Sequence, residues 1–195
     1  HADKLFAGPV DVRGGSLARF LSWAGRGQRM FDLRRDGAFA LSGHLEAGKA
    51  AVSGRDLRVQ FAGNSVGGAF SWTGGPVPRA TLGVEGTSLD LAGLIEPEPT
   101  IPLLVQGMMD RLVGPDAATT QGGDAANRWP RTGDVRLRLA KLDIGGKTLN
   151  DVDLNLDWSE KGLSISRLRL KGPAGWSIDA TGQLPAAGGD KQQPG

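Results

Sequence analysis

A mostly β protein is the fold this sequence predicts: a curved antiparallel β-sheet of repeated hairpins, or two packed sheets, with two short helices. Three observations carry that expectation. Apolar and polar residues alternate with period two over much of the chain, as in strands with one dry and one wet face. Glycine-containing turns separate the alternating runs, and glycine supplies the positive φ of tight hairpins. Glycine itself is abundant, 31 of 195 residues, without the G-X-Y period of collagen.

The C-terminal unit, residues 131–184, shows the alternation most clearly. Val135, Leu137 and Leu139 alternate with Asp134, Arg136 and Arg138. Val152, Leu154, Leu156 and Trp158 alternate with Asp151, Asp153, Asn155 and Asp157, and Trp176, Ile178 and Ala180 with Ser177, Asp179 and Thr181. Leu163 and Ile165 continue the pattern, and Leu168 and Leu170 resume it one residue out of phase. The same slip separates Leu139 from Leu142 and Ile144. A one-residue slip reverses the faces unless a bulge absorbs it, so bulges are expected near Ala140-Lys141 and Ser166-Arg167. Turns at Gly145-Gly146, Glu160–Gly162 and Gly172–Gly175 divide the unit into a four-strand meander, 132–144, 147–158, 162–171 and 174–184.

The N-terminal unit, residues 1–95, repeats the theme. Phe39, Leu41 and Leu45 share a face with Gly43, followed by Leu57, Val59 and Phe61, then by Val66, Phe70 and Trp72. Leu82, Val84, Leu89 and Leu91 form a long strand with another slip. Gly48–Trp72 lines up with Gly162–Leu184, with Leu57-Arg58-Val59 on Leu168-Arg169-Leu170, a weak internal repeat of paired hairpins. Ser16–Ala24 reads as a short helix with Ser16 or Gly15 as N-cap and Leu17, Phe20, Leu21 and Ala24 as its apolar stripe. Residues 96–130 read as a helix, Thr100–Val113, opened by Pro102 and followed by a flexible stretch poor in apolar residues. That helix suits either a core cover or a membrane-surface or partner helix. Residues 185–195 read as a disordered tail.

Several functions are excluded by composition. With 23 basic and 21 acidic residues, and no basic cluster beyond Arg34-Arg35, nucleic-acid binding is not expected. The lack of cysteine removes a disulfide scaffold and a thiol catalyst. No apolar run approaches the ~20 residues of a membrane span, and no signal peptide is recognisable. The start at His1-Ala2, without Met, reads as a tag remnant or a cut fragment, so the missing targeting signals say nothing about the full-length protein.

Asp151-Val-Asp153-Leu-Asn155-Leu-Asp157 imitates the opening of a calcium loop. Leu156 stands where that loop needs glycine, and no glutamate occupies its last position. On a strand, alternate residues lie ~6.8 Å apart, farther than the ~5 Å that ligands of one calcium allow. His1 and His44 are the only histidines, too few for a metal site, and no Gly-x-Ser-x-Gly elbow accompanies His44. No catalytic residue, metal ligand or cofactor is therefore assigned, and the chain is not expected to be an enzyme.

Ala38–Ile95 and Asp134–Leu184 resemble the AsmA family. The likeness lies in a cadence: glycine-rich strands, the run Val-Arg-Leu-Arg-Leu followed by Leu-Asp-Ile-Gly-Gly, and the run Leu-Asn-Asp-Val-Asp-Leu-Asn-Leu before Gly-Leu-Ser-Ile. Gly14-Gly15-Ser16-Leu17, leading into the helix, also fits, while the 96–130 stretch departs from the cadence. The resemblance covers about four-fifths of the chain. It implies a periplasmic protein anchored in the inner membrane. It also implies a long curved sheet with a hydrophobic concave face, similar to bridge-like lipid-transfer proteins. The expected role is phospholipid passage and outer-membrane assembly, without catalytic residues.

Under that resemblance Leu137, Leu139, Val152, Leu154, Leu156, Trp158, Leu163, Ile165, Trp176 and Ile178 are the candidate lipid-groove or core-face residues. Acyl chains need only a dry, smooth wall, so a degenerate apolar alternation is sufficient chemistry. The same positions equally suit a closed core. The expected ligand is a phospholipid or another acyl-chain molecule. The alternative is a structural or protein-interaction module of the envelope, working through free strand edges. A carbohydrate-binding sandwich is a third reading, weakened by the absence of tyrosine.

Overall fold

The computed structural model describes residues 4–24, 32–33, 36–91, 95–96, 130–144 and 146–185. The expected helix at 100–113, the stretch 114–129 and the tail 186–195 lie outside the described residues, as do the side chains of Leu21 and Ala24. Among the described residues eleven strands and one α-helix follow in chain order: β1 Lys4–Gly14, α1 Leu17–Ala24, β2 Asp32–Leu33, β3 Phe39–Gly48, β4 Ala51–Phe61, β5 Asn64–Thr73, β6 Arg79–Asp90, β7 Ile95–Glu96, β8 Thr132–Ile144, β9 Lys147–Ser159, β10 Gly162–Lys171 and β11 Ser177–Pro185.

Nine of these strands make one curved open sheet, ordered β1-β3-β4-β5-β6-β8-β9-β10-β11. The described strands thus take the single-sheet option, not the two packed sheets. Every neighbouring pair in it is antiparallel except β6 and β8, which run parallel. Two antiparallel meanders are joined at that seam, and the sheet continues across the 91–131 interval without a break. β2 and β7 pair separately, tying the segment after α1 to the segment after β6.

Hairpin chemistry accounts for the close turns. Ala62 and Gly63, between β4 and β5, both have positive φ, the geometry of a two-residue turn whose twist matches the flanking strands. β11 begins at Ser177, later than the expected 174, because Pro173–Gly175 form a 3₁₀ turn. Trp176 consequently lies outside the strand, with its indole over Gly172.

The two expected bulges came out differently. β10 does carry an extra residue between Ile165 and Leu168 against both β9 and β11. The paired hairpin in the first unit has its bulge at the matching place, between Gly54 and Leu57, where Asp56 takes a left-handed φ of 52°. At Ala140-Lys141, however, β8 keeps its register with both neighbours. The phase slip is shared: β6, β8 and β9 all change phase together around Thr87, Ala140 and Asp151. The irregularities appear only where this trio meets β5, at Ser65/Val66, and β10, at Arg169/Lys171. The three strands keep their mutual register through the slip, while the pairs Thr87–Ala140 and Ala140–Asp151 drop out of the ladder and Asp151 takes a left-handed φ of 51°.

α1 is fastened at its start. Ser16 Oγ accepts the Arg19 N–H at 3.1 Å, the N-cap bond, and donates to the Asp36 carboxylate. Asp36 also accepts the Ala18 N–H at 3.0 Å, and Leu17 N–H reaches the Gly37 carbonyl. These donors hold the Asp36 pKa below its ordinary value, Ser16 first and Ala18 second. Asp143, bonded by Lys141 and then by Thr148, is lowered in the same way. A lowered carboxylate contributes stability that is complete above its unfolded pKa and is lost as pH falls through its native one. Melting temperature is therefore expected to fall on acidification below about pH 4, and Asp36→Asn should remove part of that slope. A melt series whose pH dependence is the same in Asp36→Asn would show that the helix anchor does not titrate.

Candidate functional site

Residues opposite one another in a sheet share a face. The register therefore assembles the apolar positions of all nine strands onto one side. One cross-strand row runs Leu45, Gly54, Phe70, Leu82, Val135, Leu156 and Ile165. The next runs Gly68, Val84, Leu137, Leu154, Leu168 and Ala180, and the next Leu41, Val59, Val66, Gly86, Leu139 and Val152. β1 extends these rows with Gly8, Val10 and Val12.

Glycines on this face are filled by neighbouring side chains. A Cβ on Gly54 would lie 2.7 Å from the Phe70 ring, and one on Gly133 2.3 Å from the Trp158 indole. Large residues lie down over glycines, which leaves the surface smooth. Trp158 is held in place by its Nε1–H, which donates to the Pro130 carbonyl at 3.0 Å.

Exposure divides the face. Leu139 is 1% exposed and Leu156 2%, and Val152, Trp158 and Leu163 are also buried. Leu139 and Val152 belong to a cluster with Leu142, Ile144, Leu149 and Leu170; Leu156, Trp158 and Leu163 form another with Val135, Leu154 and Ile165 against them. Leu137, Leu154 and Ile165 are half-buried. At one end Phe39 and Phe61 are covered by Leu17 and Phe20 of α1, and Leu91 packs against both this cluster and that of Leu139. Asn64 sets Leu91 up: its side chain exchanges two hydrogen bonds with the backbone of Asp90.

The opposite end of the face is open. Leu82, in a central strand, is 43% exposed and its row neighbour Phe70 half-buried; Trp72 is 37% exposed and Phe6 is also exposed. Ile178 and Leu184 on β11 are exposed as well.

The predicted site residues thus separate. Nine of them, all but Trp176, lie on the one apolar face. Its most buried members form the packed floor, Ile178 sits at the exposed margin, and Trp176, 43% exposed, stands off the sheet. The accessible apolar residues Leu82, Trp72 and Phe6 were not among the candidates. Alternation alone treats every inward position alike, and strand β1 goes unpredicted because Gly8 and Pro9 interrupt its pattern.

The other face is polar and its charges alternate from strand to strand. One row reads Arg58, Gly67, Glu85, Arg138, Asp153, Arg169 and Asp179. Arg167 pairs with Asp153 at 3.1 Å, Arg169 with Asp179 at 2.8 Å and Arg79 with Asp134 at 3.1 Å. A hollow of about 800 Å³ lies here above Gly67 and Gly83, rimmed by Arg55, Arg58, Arg136 and Arg138 with Asp56, Glu85 and Asp153. It is a charged surface, chemically opposite to the apolar face. Among the described residues no group of acidic, histidine or cysteine side chains forms a metal cluster, and no helix is long and apolar enough to cross a membrane.

Comparison with family models, with curated proteins and with solved structures returned no match.

Proposed function

We propose that this chain is a non-enzymatic section of an AsmA-like envelope protein whose apolar sheet face receives the acyl chains of phospholipid. One observation carries this reading. A single face stays apolar across nine strands, and in mid-sheet it leaves Leu82 exposed beside Phe70 and Trp72. Soluble proteins rarely leave such contiguous apolar area uncovered unless something binds there. The smooth floor suits a chain of methylenes, which offers no polar group to orient. Each buried CH₂ contributes about 0.8 kcal/mol, so an acyl chain lying along Trp72, Phe70 and Leu82 would be held by contact area alone. The charge-laddered opposite face keeps that side in water. In this reading the protein lies in the periplasm, is anchored in the inner membrane by a segment outside this chain, and supports outer-membrane assembly by passing phospholipid along the face. Among the described residues no strand pairs with the outer edge of β11, which favours a second reading, an envelope interaction module.

Native mass spectrometry with lipid extraction, on protein from a membrane-containing lysate, tests the proposal. Phospholipid is expected in defined stoichiometry. Leu82→Asp, at a half-exposed position that tolerates a polar side chain, should fold normally and lose at least four-fifths of that lipid. One carboxylate desolvated under an acyl chain costs several kcal/mol, far more than a fivefold change requires. A folded chain that carries no lipid, and acquires none from phosphatidylethanolamine–phosphatidylglycerol vesicles, would sink the proposal.

A further inference from the structure

The two margins of the sheet are defended unequally. β1 has Pro9 in mid-strand, a bulge between Lys4 and Phe6, and an ion pair of Arg13 with Asp11 at 3.0 Å. Proline, bulges and charges are the usual obstacles to strand addition. β11 has no proline before Pro185 and no lysine or arginine, and all its residues are exposed. Its one charge, Asp179, is engaged inward by Arg169 at 2.8 Å. Among the described residues no strand pairs with its outer edge.

The sequence of β11 is also complementary to itself. Reversed about Thr181, Ala180 faces Gly182, Asp179 faces Gln183 and Ile178 faces Leu184, each pair occurring twice. Ile178 and Leu184 lie on the apolar face, 39% and 43% exposed, and each would cover the other. Thr181 meets its own copy on the polar face, a favourable cross-strand pair, and no like charges are opposed. Moving the pivot to Asp179 would instead set two carboxylates face to face.

We propose that β11 pairs antiparallel with β11 of a second copy of this chain, with the twofold axis at Thr181. The axis stands perpendicular to the sheet, so the two apolar faces fall on the same side and form one continuous surface. This goes beyond the lipid reading: it sets the width of the face and does not depend on what the face binds.

Sedimentation equilibrium of the 195-residue chain tests it. One strand pair is smaller than a standard interface, so a monomer–dimer equilibrium is expected in the micromolar range, roughly 10–100 µM. Thr181→Lys places two ammonium groups opposite each other and should raise Kd about tenfold or more. Gln183→Asp should do the same against Asp179, whereas Gln183→Lys, which offers Asp179 a cation, should leave the dimer intact or tighter. Circular dichroism establishes that each variant folds. A chain that stays monomeric throughout, forms larger open-ended species, or dimerises equally well as Thr181→Lys and Gln183→Asp would overturn the proposal. None of these positions adjoins Leu82, so lipid carried by Thr181→Lys at the wild-type level separates failure of this interface from failure of the lipid face.

Discussion

Leu139→Ala is expected to destabilise the protein by about 3 kcal/mol, within the range for leucine removed from a tight core. Leu139 is the least exposed large side chain of the described residues. It lies between Gly86 of β6 and Val152 of β9, and its methyl already reaches the space above Gly86. Deleting its terminal isopropyl group opens a cavity at the junction of the two meanders, where the shared phase change of β6, β8 and β9 leaves little freedom to collapse. A chain of this size should melt roughly 6–12 °C lower, at 2–4 °C per kcal/mol. Leu82→Ala is the control: the half-exposed Leu82 should lose about 1 kcal/mol or less, since little of its surface is removed from water on folding. Denaturant midpoints for the two variants decide the matter. Equal losses would mean that the β8–β9 core is no more tightly packed than the open end of the face.

Gly133→Ala is expected to be nearly as damaging although it adds one methyl. Its Cβ would lie 2.1 Å from the Ala80 carbonyl oxygen and 2.3 Å from the Trp158 ring. A ring can tilt, but Ala80 belongs to the neighbouring strand of the one parallel pair, and its carbonyl moves only if the seam opens. Overpacking of this kind costs typically 1–3 kcal/mol, and displacing Trp158 from its bond to Pro130 adds about 1 kcal/mol. A loss of about 3 kcal/mol is the expected result, read from urea unfolding, with a shift in tryptophan emission. The double variant Gly133→Ala with Trp158→Leu distinguishes the two contacts. If the carbonyl dominates, the smaller side chain gives no rescue; full rescue would assign the damage to the indole alone.

Both predictions concern the seam between β6 and β8, and the seam is what the periodicity of the chain does not contain. Each meander is legible because its contacts are local: Val152 through Trp158 must face the side that Val135 through Leu139 face once a two-residue turn joins them. Strand limits for β8, β9 and β10 follow from alternation and turn chemistry nearly to the residue, as does the cap of α1 by Ser16. β1 escaped because an edge strand tolerates glycine and proline in its pattern, and those residues hide the period. The slip at Ala140-Lys141 looked like a bulge because one strand read alone cannot show that its neighbours slip with it.

The candidate site divides along the same line. The amino-acid order by itself determined which residues are apolar, which face they share within each strand and that the opposite face is polar, because side-chain direction in a strand has period two. Only the tertiary structure decided that the two meanders join in parallel, that Leu139 and Leu156 lie under packed neighbours, and that Leu82 and Trp72 remain open. Burial depends on the partners that strands distant in sequence supply, and on glycines such as Gly54 and Gly133 that let a ring lie flat. Those partners are fixed by register across nine strands, a long-range property that no local pattern encodes.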